Sequence, residues 1–338
     1  MPRASIIIVN RNGGKLLREC LESLAVQTFR DFETIVVDNG SDDGSLALID
    51  AALPGARPLP LGENTGFARG NNEGFKVATG DLIVTLNNDA RLAPQCLAEL
   101  VAAADRHPDA GMLAPKTLIS TDPTRIDSAG LLIYADGIYR PRGWQELDGP
   151  AFAREEDVVF PCASVAVYRR TMLDEIGWFD EDFFLYLEDA DLGMRGRLAG
   201  WGCVYVPRAV AYHLKSSTAG KHSKVKAYHV ERNRIFNLLK HAPLPIVLLS
   251  PAFTFYRYGL QAFAALTKRG ASGGFVRDYS RRELLGILVR AYRDAFRALP
   301  AMWRKRQAID AQRRISRTDV YRLFIRHRLP ARDLAFKD

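Results

Sequence analysis

The chain has 338 residues, 47% hydrophobic and 25% charged, an ordinary globular balance with room for one large domain plus an appendage. Its four cysteines, Cys20, Cys96, Cys162 and Cys203, are scattered with no CxxC pair, which argues against a zinc site and for a reducing compartment. The net charge of +8 is uneven: from Lys268 onward 19 Lys and Arg face 7 Asp and Glu, so the rest is mildly acidic and the tail suits a membrane surface or a nucleic acid.

The apolar run at Ser5–Val9 is too short for a signal peptide and reads as a first buried strand. Leu16, Leu17, Cys20, Leu21 and Leu24 follow at helical spacing, and Thr34–Val37 is a second strand. A helix over Gly70–Ala78 leads to a third buried strand, Ile83–Leu86, and Leu92–Arg106 is again helical, opened by Pro94. This alternation predicts an α/β fold with a mostly parallel, twisted sheet covered by helices. From Thr117 to Arg154 many Gly, Pro and Tyr predict loops and hairpin strands. Val158–Tyr168 is expected as a strand, Arg170–Ile176 and Leu187–Ala199 as helices, and Val204–Pro207 and Ala209–His213 as short extended segments. Beyond them, Lys215–Lys226 is expected as a mobile loop and Val230–Leu239 as a helix, with basic helices from about Arg281.

Residues with chemistry gather where strands end. Ligands of open α/β sheets bind beyond the carboxyl ends of strands, and the strand-forming run Leu82–Leu86 stops at Asn87, Asn88 and Asp89. A carboxylate there can hold a divalent cation that neutralises a diphosphate; alone, the motif also fits an Asn-rich turn. Asp38 ends a strand in the same way and could accept the ring N–H of uracil or thymine, although a capping turn explains it equally. In Gly62–Asn72, glycines permit close backbone approach and a helix N-terminus favours anions. Neither GxGxxG nor a Walker-type loop is present, which weighs against dinucleotide and P-loop chemistry. In Gly177–Leu192, acids alternate with aromatics that require partial burial. Glu188, Asp189 and Asp191 stand at a helix start, where the dipole favours ionised carboxylates suited to accept a proton from a sugar hydroxyl; capping is the plain alternative. His213, at a strand end, could complete a metal site with Asp89, since imidazole suits Mn2+ beside oxygen ligands.

In this order the five segments resemble the family 2 inverting glycosyltransferases of GT-A fold, and among them the bacterial rhamnosyltransferase-like branch, over about Ala4 to His241. The resemblance implies that Val9, Asn10, Asn12 and Asp38 surround the base and ribose, and that Gly66, Phe67 and Asn71 lie around the nucleotide sugar. It sets Asn87-Asn88-Asp89 at the place of the DxD motif, with Asp89 as the metal-binding acid and His213 as the late metal ligand. Asp189, within the Glu188–Asp189 pair, is then the catalytic base. Three positions depart from the family pattern: Asn87 for the first acid of DxD, Cys162-Ala163 for Gly-Ala, and Trp178 for a second Gly. The implied activity is inverting transfer, assisted by Mg2+ or Mn2+, from a dTDP- or UDP-sugar to a lipid-linked or growing surface glycan, with dTDP-rhamnose favoured. The implied division is a GT-A domain over residues 1–241 and a helical region over residues 242–338, in a cytoplasmic protein at the inner face of the plasma membrane. A nucleotidyltransferase of similar fold would want a Gly- and Arg/Lys-rich triphosphate loop, and a nucleic-acid-binding module a recognisable motif in the tail; the sequence offers neither.

Leu244–Leu266 has the length of a membrane span, about 20 residues, but Arg257 lies in its middle, which costs roughly 2.5–3.5 kcal/mol. On a helix, Ser250, Thr254, Arg257 and Gln261 form one polar stripe opposite Leu248, Phe255, Phe263 and Leu266. The expectation is a helix lying in the membrane interface, with Arg304-Lys305-Arg306 and Arg313-Arg314 over anionic headgroups. The alternative is a helix packed on the catalytic domain or on a second copy in a homo-oligomer.

Overall fold

The computed structural model describes residues 1–214, 223–267 and 278–337. Among these, Met1–Leu131, Pro141–Arg197 and residues 201–214 form one compact unit, and Leu132–Arg140, Leu198–Gly200 and residues 223–337 form another. Helix Lys224–His241 therefore belongs to the second unit.

The first unit runs β1 (Ala4–Asn10), α1 (Gly14–Ala25), β2 (Phe32–Asp38), α2 (Ile49–Ala52), β3 (Arg57–Pro60), α3 (Gly66–Val77), β4 (Leu82–Leu86), β5 (Ala90–Leu92) and α4 (Cys96–Arg106). β6 (Ala110–Ile119) and β7 (Asp122–Ser128) follow, and then the short paired strands β8 (Leu131–Ile133) and β9 (Tyr139–Pro141), most of whose residues belong to the second unit. The chain returns to the first unit with β10 (Glu156–Asp157), β11 (Val165–Arg169), α5 (Arg170–Ile176), α6 (Glu188–Leu198) and β12 (Gly202–His213). The main sheet has the order β10-β12-β6-β11-β4-β1-β2-β3, with β11 antiparallel to both its neighbours. The sheet is mostly parallel, as the alternation of segments predicts, and the α/β fold is GT-A-like, as the resemblance implies. β1 reads as continuous β-branched residues because both its faces are covered: Ile6, Ile7 and Ile8 are wholly buried. Leu17, Cys20, Leu21 and Leu24 of α1 pack on one face. On the other, Gly74 of α3 lies so close that a Cβ would come within 2.6 Å of Ile7.

Several boundaries differ from the sequence reading. β6 is a ten-residue strand in a stretch whose start lies before the region expected as loops, and Gly111 and Pro115 mask its strand character. Pro115 is tolerated because it faces Val206, where the ladder to β12 loses register before Val210. β12 is a single strand through Pro207, the Leu92–Arg106 stretch splits into β5 and α4, and the Val158–Tyr168 strand contracts to β11. Of the loop expected at Lys215–Lys226, residues 215–222 lie outside the described residues, and a helix starts at Lys224 behind the Ser223 cap.

The second unit contains α7 (Lys224–His241), α8 (Leu244–Leu266), α9 (Arg281–Arg297), α10 (Leu299–Gln312), α11 (Arg317–Arg326) and α12 (Ala331–Phe336). Its centre is ionic. Arg257, 1% exposed, donates from Nε to Asp136 Oδ2 at 2.7 Å and from Nη1 to Glu231 Oε1 at 3.1 Å. Arg234 donates to Glu231 Oε2 at 2.6 Å, which also accepts from Tyr258 at 2.9 Å. Burial acts to raise the Glu231 carboxyl, but Arg234 and Arg257 outweigh it and bring its pKa down to about 2. The polar stripe of α8 thus faces the protein: Ser250, Thr254 and Arg257 are buried, and Leu248 and Phe255 are 79% and 75% exposed. An ordinary packed helix would turn the other side inward. Among the described residues, no helix is long and apolar enough to cross a membrane.

Removing one member of a buried ion cluster strands the others, at a cost of about 3–5 kcal/mol. Asp136→Ala should lower stability by that order in urea unfolding of the whole chain. Because the Glu231 pKa is depressed on folding, its contribution is present at neutral pH and is lost as pH falls below the ordinary carboxylate range toward 2. Acid titration of unfolding should show that loss, and the Asp136→Ala background should diminish it.

Candidate active site

Parallel register brings the ends of β1 and β2 together, Asn10 opposite Asp38. The two are buried, and Asn10 Nδ2 donates to Ser41 Oγ at 3.2 Å and makes a long contact of 3.5 Å to Asp38 Oδ1. Asn10 Oδ1 accepts from Asn88 Nδ2 at 2.9 Å, so the turn after β4 is tied to the same edge. Asn12, in left-handed conformation (φ 51°), accepts from the backbone N–H of Asp42 at 2.9 Å and closes the loop beside Asp38. Asn39, which the sequence reading passed over, bonds Thr65 and the Gly66 carbonyl and so fixes the entry to α3.

Other expected residues are occupied by packing. Val9 lies against Gly70, and the Asn71 side chain is buried and donates to the Phe67 carbonyl at 2.9 Å. The N-terminus of α3 is already capped: the Phe184 carbonyl accepts from the N–H groups of Phe67 (2.7 Å) and Ala68 (3.3 Å). The anion expected there would compete with a backbone carbonyl. Gly66 is required because its φ is +83° and a Cβ would meet Phe184 at 2.6 Å. Asn87 is half-buried, its backbone N–H donating to the Ser164 carbonyl at 2.9 Å.

Asp89 and His213 are joined through the sheet. β5 pairs antiparallel with β12, setting His213 opposite Ala90, and His213 Nε2 lies 3.2 Å from Asp89 Oδ1. The other ring nitrogen lies 2.9 Å from Asp127 Oδ2, a buried acid of β7 that nothing local in the sequence distinguishes. Burial alone would lower the His213 pKa; the hydrogen bonds to Asp127 and Asp89 outweigh it and raise it to about 9. A cavity of about 230 Å³ beside Asp89 is lined by Lys15, Leu16, Glu19, Arg91, Ser120 and Leu214.

The acids of α6 divide into two kinds. Asp191 is fully buried and held by Arg195 at 2.9 Å, which also binds the Ile176 and Gly177 carbonyls; its part is structural. Asp189 accepts from the N–H groups of Ala190 (2.8 Å) and Ala163 (3.1 Å), which aim the carboxylate. Glu188 is buried beside it, and its Oε2 has no hydrogen-bond partner among the described residues. The helix start was expected to favour ionised acids; desolvation dominates instead and raises both carboxyl pKa values, with the Asp189 charge adding to the rise at Glu188. Phe184, Tyr186 and Leu187 all take positive φ immediately before this pair. Burial, then the charges of Glu188 and Asp89, push the Tyr186 phenol up to about 12, which makes that side chain a neighbour of both halves of the site.

A mostly parallel sheet with these acids at its carboxyl edge has the GT-A-like architecture of nucleotide-sugar transferases. The chain belongs to glycosyl transferase family 2, whose profile (Glycosyl transferase family 2) matches residues 5–177, and it is a nucleotide-sugar glycosyltransferase. It is similar to the N-acetylglucosaminyl-diphospho-decaprenol L-rhamnosyltransferase of Mycobacterium tuberculosis, 31% identical over 251 residues, 66% of this chain and 80% of that protein. The O-antigen biosynthesis protein RfbC of Myxococcus xanthus is 28% identical over 227 residues, 64% of this chain and 18% of that protein. Among solved structures, the mannosyltransferase PcManGT of Pyrobaculum calidifontis in complex with GDP-Man and Mn2+ has a TM-score of 0.53 at 19% identity, covering 92% of this chain and 86% of that one. S. aureus TarS 1-349 in complex with UDP has a TM-score of 0.51 at 19% identity, covering 95% and 89%.

Gly66→Ala adds a Cβ where the backbone is left-handed and Phe184 is in the way, so it should destabilise by more than about 1 kcal/mol. Chemical unfolding checks this; a wild-type midpoint would mean that the Phe184 cap yields at little cost.

Proposed function

We propose that this enzyme transfers a sugar with inversion from a dTDP- or UDP-sugar to a hydroxyl of a lipid-linked or growing cell-surface glycan, at the cytoplasmic face of a membrane. dTDP-rhamnose is favoured as donor by the similarity to the L-rhamnosyltransferase of M. tuberculosis. The observation that carries the chemical reading is Asp189, a carboxylate aimed by two backbone N–H groups beside a second buried acid.

In this reading Asn10, Asn12 and Asp38 hold the base and ribose. Val9, packed on Gly70, lines the base and ribose side with them and Asn88 keeps the end of β4 against Asn10, while Gly66, Phe67 and Asn71 shape the wall beside the sugar by packing. Asp189 takes the proton from the acceptor hydroxyl, whose oxygen bonds to the anomeric carbon as the bond to the diphosphate breaks on the opposite face. Burial makes Asp189 the proton-hungry member of the pair, and its charge in turn raises Glu188 further, so Glu188 keeps its proton while Asp189 acts as the base.

The donor set also fits Mg2+ or Mn2+. Asp89 oxygen and His213 nitrogen lie 3.2 Å apart with a proton held between them, which an ion would have to displace, and Asp127 holds the far side of the imidazole as an outer carboxylate does in metal sites. Among the described residues no group of three or more such ligands forms a complete cage, so diphosphate oxygens and water would supply the rest. Bound there, the ion would supply positive charge to the leaving diphosphate. Mn2+ binding to the chain with a nucleoside diphosphate, read by calorimetry, should weaken in Asp89→Ala and in His213→Ala; a His213→Ala variant that merely unfolds more easily returns the histidine to a structural role.

Asp189→Asn keeps the shape but not the basicity, so turnover should fall at least ~10²-fold while donor binding, read by thermal shift, persists. Near-normal turnover would refute the assignment. Since the base must be unprotonated and its pKa is raised, the acid limb of kcat/KM against pH should lie above the usual carboxylate range. Because burial carries that rise, Glu188→Gln, which replaces a neutral acid by an amide of the same shape, should leave the limb close to its wild-type position.

A further inference from the structure

We propose that the outer faces of α8 and α9 form a docking surface for an anionic lipid bilayer, held in the right orientation by the buried ion cluster of the second unit. The inference deepens the reading of a membrane-borne acceptor and rests on it only for its purpose; its geometry is independent. On α8 the residues turned to water are Leu248, Leu249, Phe255, Tyr256, Phe263 and Leu266, all more than half exposed. A helix free to rotate would bury them. This one is not free: turning them inward would pull Arg257 from Asp136 and Glu231 and leave two carboxylates in a dry interior. The apolar exposure is therefore enforced by the cluster.

The same occurs on α9. Leu285, Val289 and Phe296 share one outward stripe at helical spacing, exposed to 62%, 59% and 60%, while Ile287, Ala291 and Ala295 face inward. Arg282, Arg293 and Arg297 border that stripe; Arg293 and Arg297 share the single carboxylate of Asp294 at 2.9 and 3.9 Å, so the group keeps a net positive charge, and their side chains stay 53% and 72% exposed. The arginine border selects the occupant. Apolar residues edged by guanidinium groups match acyl chains below anionic headgroups, with long basic side chains reaching the phosphates. A second copy of the same face would bring the arginines against each other.

The test is flotation of the full chain with vesicles of phosphatidylglycerol and phosphatidylcholine, at low and high salt, beside phosphatidylcholine alone. The protein should float with the anionic vesicles, at least ~10-fold less with neutral ones, and less at high salt. Combined Leu248→Ser, Phe255→Ser and Leu266→Ser should abolish flotation while the donor-induced thermal shift is kept. Phe255→Trp gives a second reading: the indole emission of that variant should move to the blue on adding anionic vesicles. A folded wild type that stays at the bottom, a triple variant that still floats, or an indole emission in the Phe255→Trp variant that does not move overturns the proposal. So does a dimer in sedimentation that the triple variant dissociates without any flotation of the wild type. Failure of the catalytic reading would show as absent donor binding with flotation intact.

Discussion

Strands β1 and β2 pair in full register and end together, with β4 joining β1 on its other side. A parallel sheet buried on both faces leaves its strands few polar positions away from their ends. Asn10, Asp38, Asn88 and Asp89 gather at one edge, beyond strands made mostly of Ile, Val and Leu, with Ser5, Thr34 and Thr85 as buried polar exceptions. The close approach of α3, through Gly70 and Gly74, lets the helix cover β1 and brings its N-terminus to the same edge. The site is a consequence of how the core packs.

Across this edge, two electrostatic effects compete at the acids, and burial decides. A helix dipole offers a carboxylate at its first turn at most about 2 kcal/mol, and usually less than about one. Loss of hydration beside a second carboxylate is the larger effect at Glu188 and Asp189. Where a carboxylate meets guanidinium groups, as Glu231 does, the balance reverses and the pKa falls. The same side-chain chemistry is thus made proton-accepting in one place and firmly ionised in another, and partners make the difference.

What could be read in advance follows from the range of the interactions. Helical and strand periodicity, and polar residues at strand ends, are local and showed plainly in β1, α1, β2 and β4. Asp89 and His213 both stand at strand ends, where ligands were sought, and the sheet sets them 3.2 Å apart. Asp127 carried no such signal: it sits in an undistinguished Ile-Asp-Ser run, and only the fold brings it to His213. β6 was obscured by Gly111 and Pro115, whose local preference yields to a register break in the partner strand. The carbonyl of Phe184 on the N-terminus of α3 had no sequence signal, since a backbone atom has no residue identity. On α8 the polar stripe could be read from the sequence, but its complement could not, because Asp136 and Glu231 lie on other segments and make that stripe an adhesive surface.

That ion cluster also bears on how the chain comes to be folded. Asp136 is made long before Glu231 and Arg234, and Arg257 follows later still. During synthesis the Leu132–Arg140 segment must wait beside a growing chain with its acid unmet, until α7 and α8 have emerged. A nascent protein stopped at His241 would hold Glu231 and Arg234 without Arg257, leaving Asp136 short of its nearest cation. Helix α8 is then a closing piece of a discontinuous unit, and completion of the sheet alone does not bring Asp136 its nearest cation.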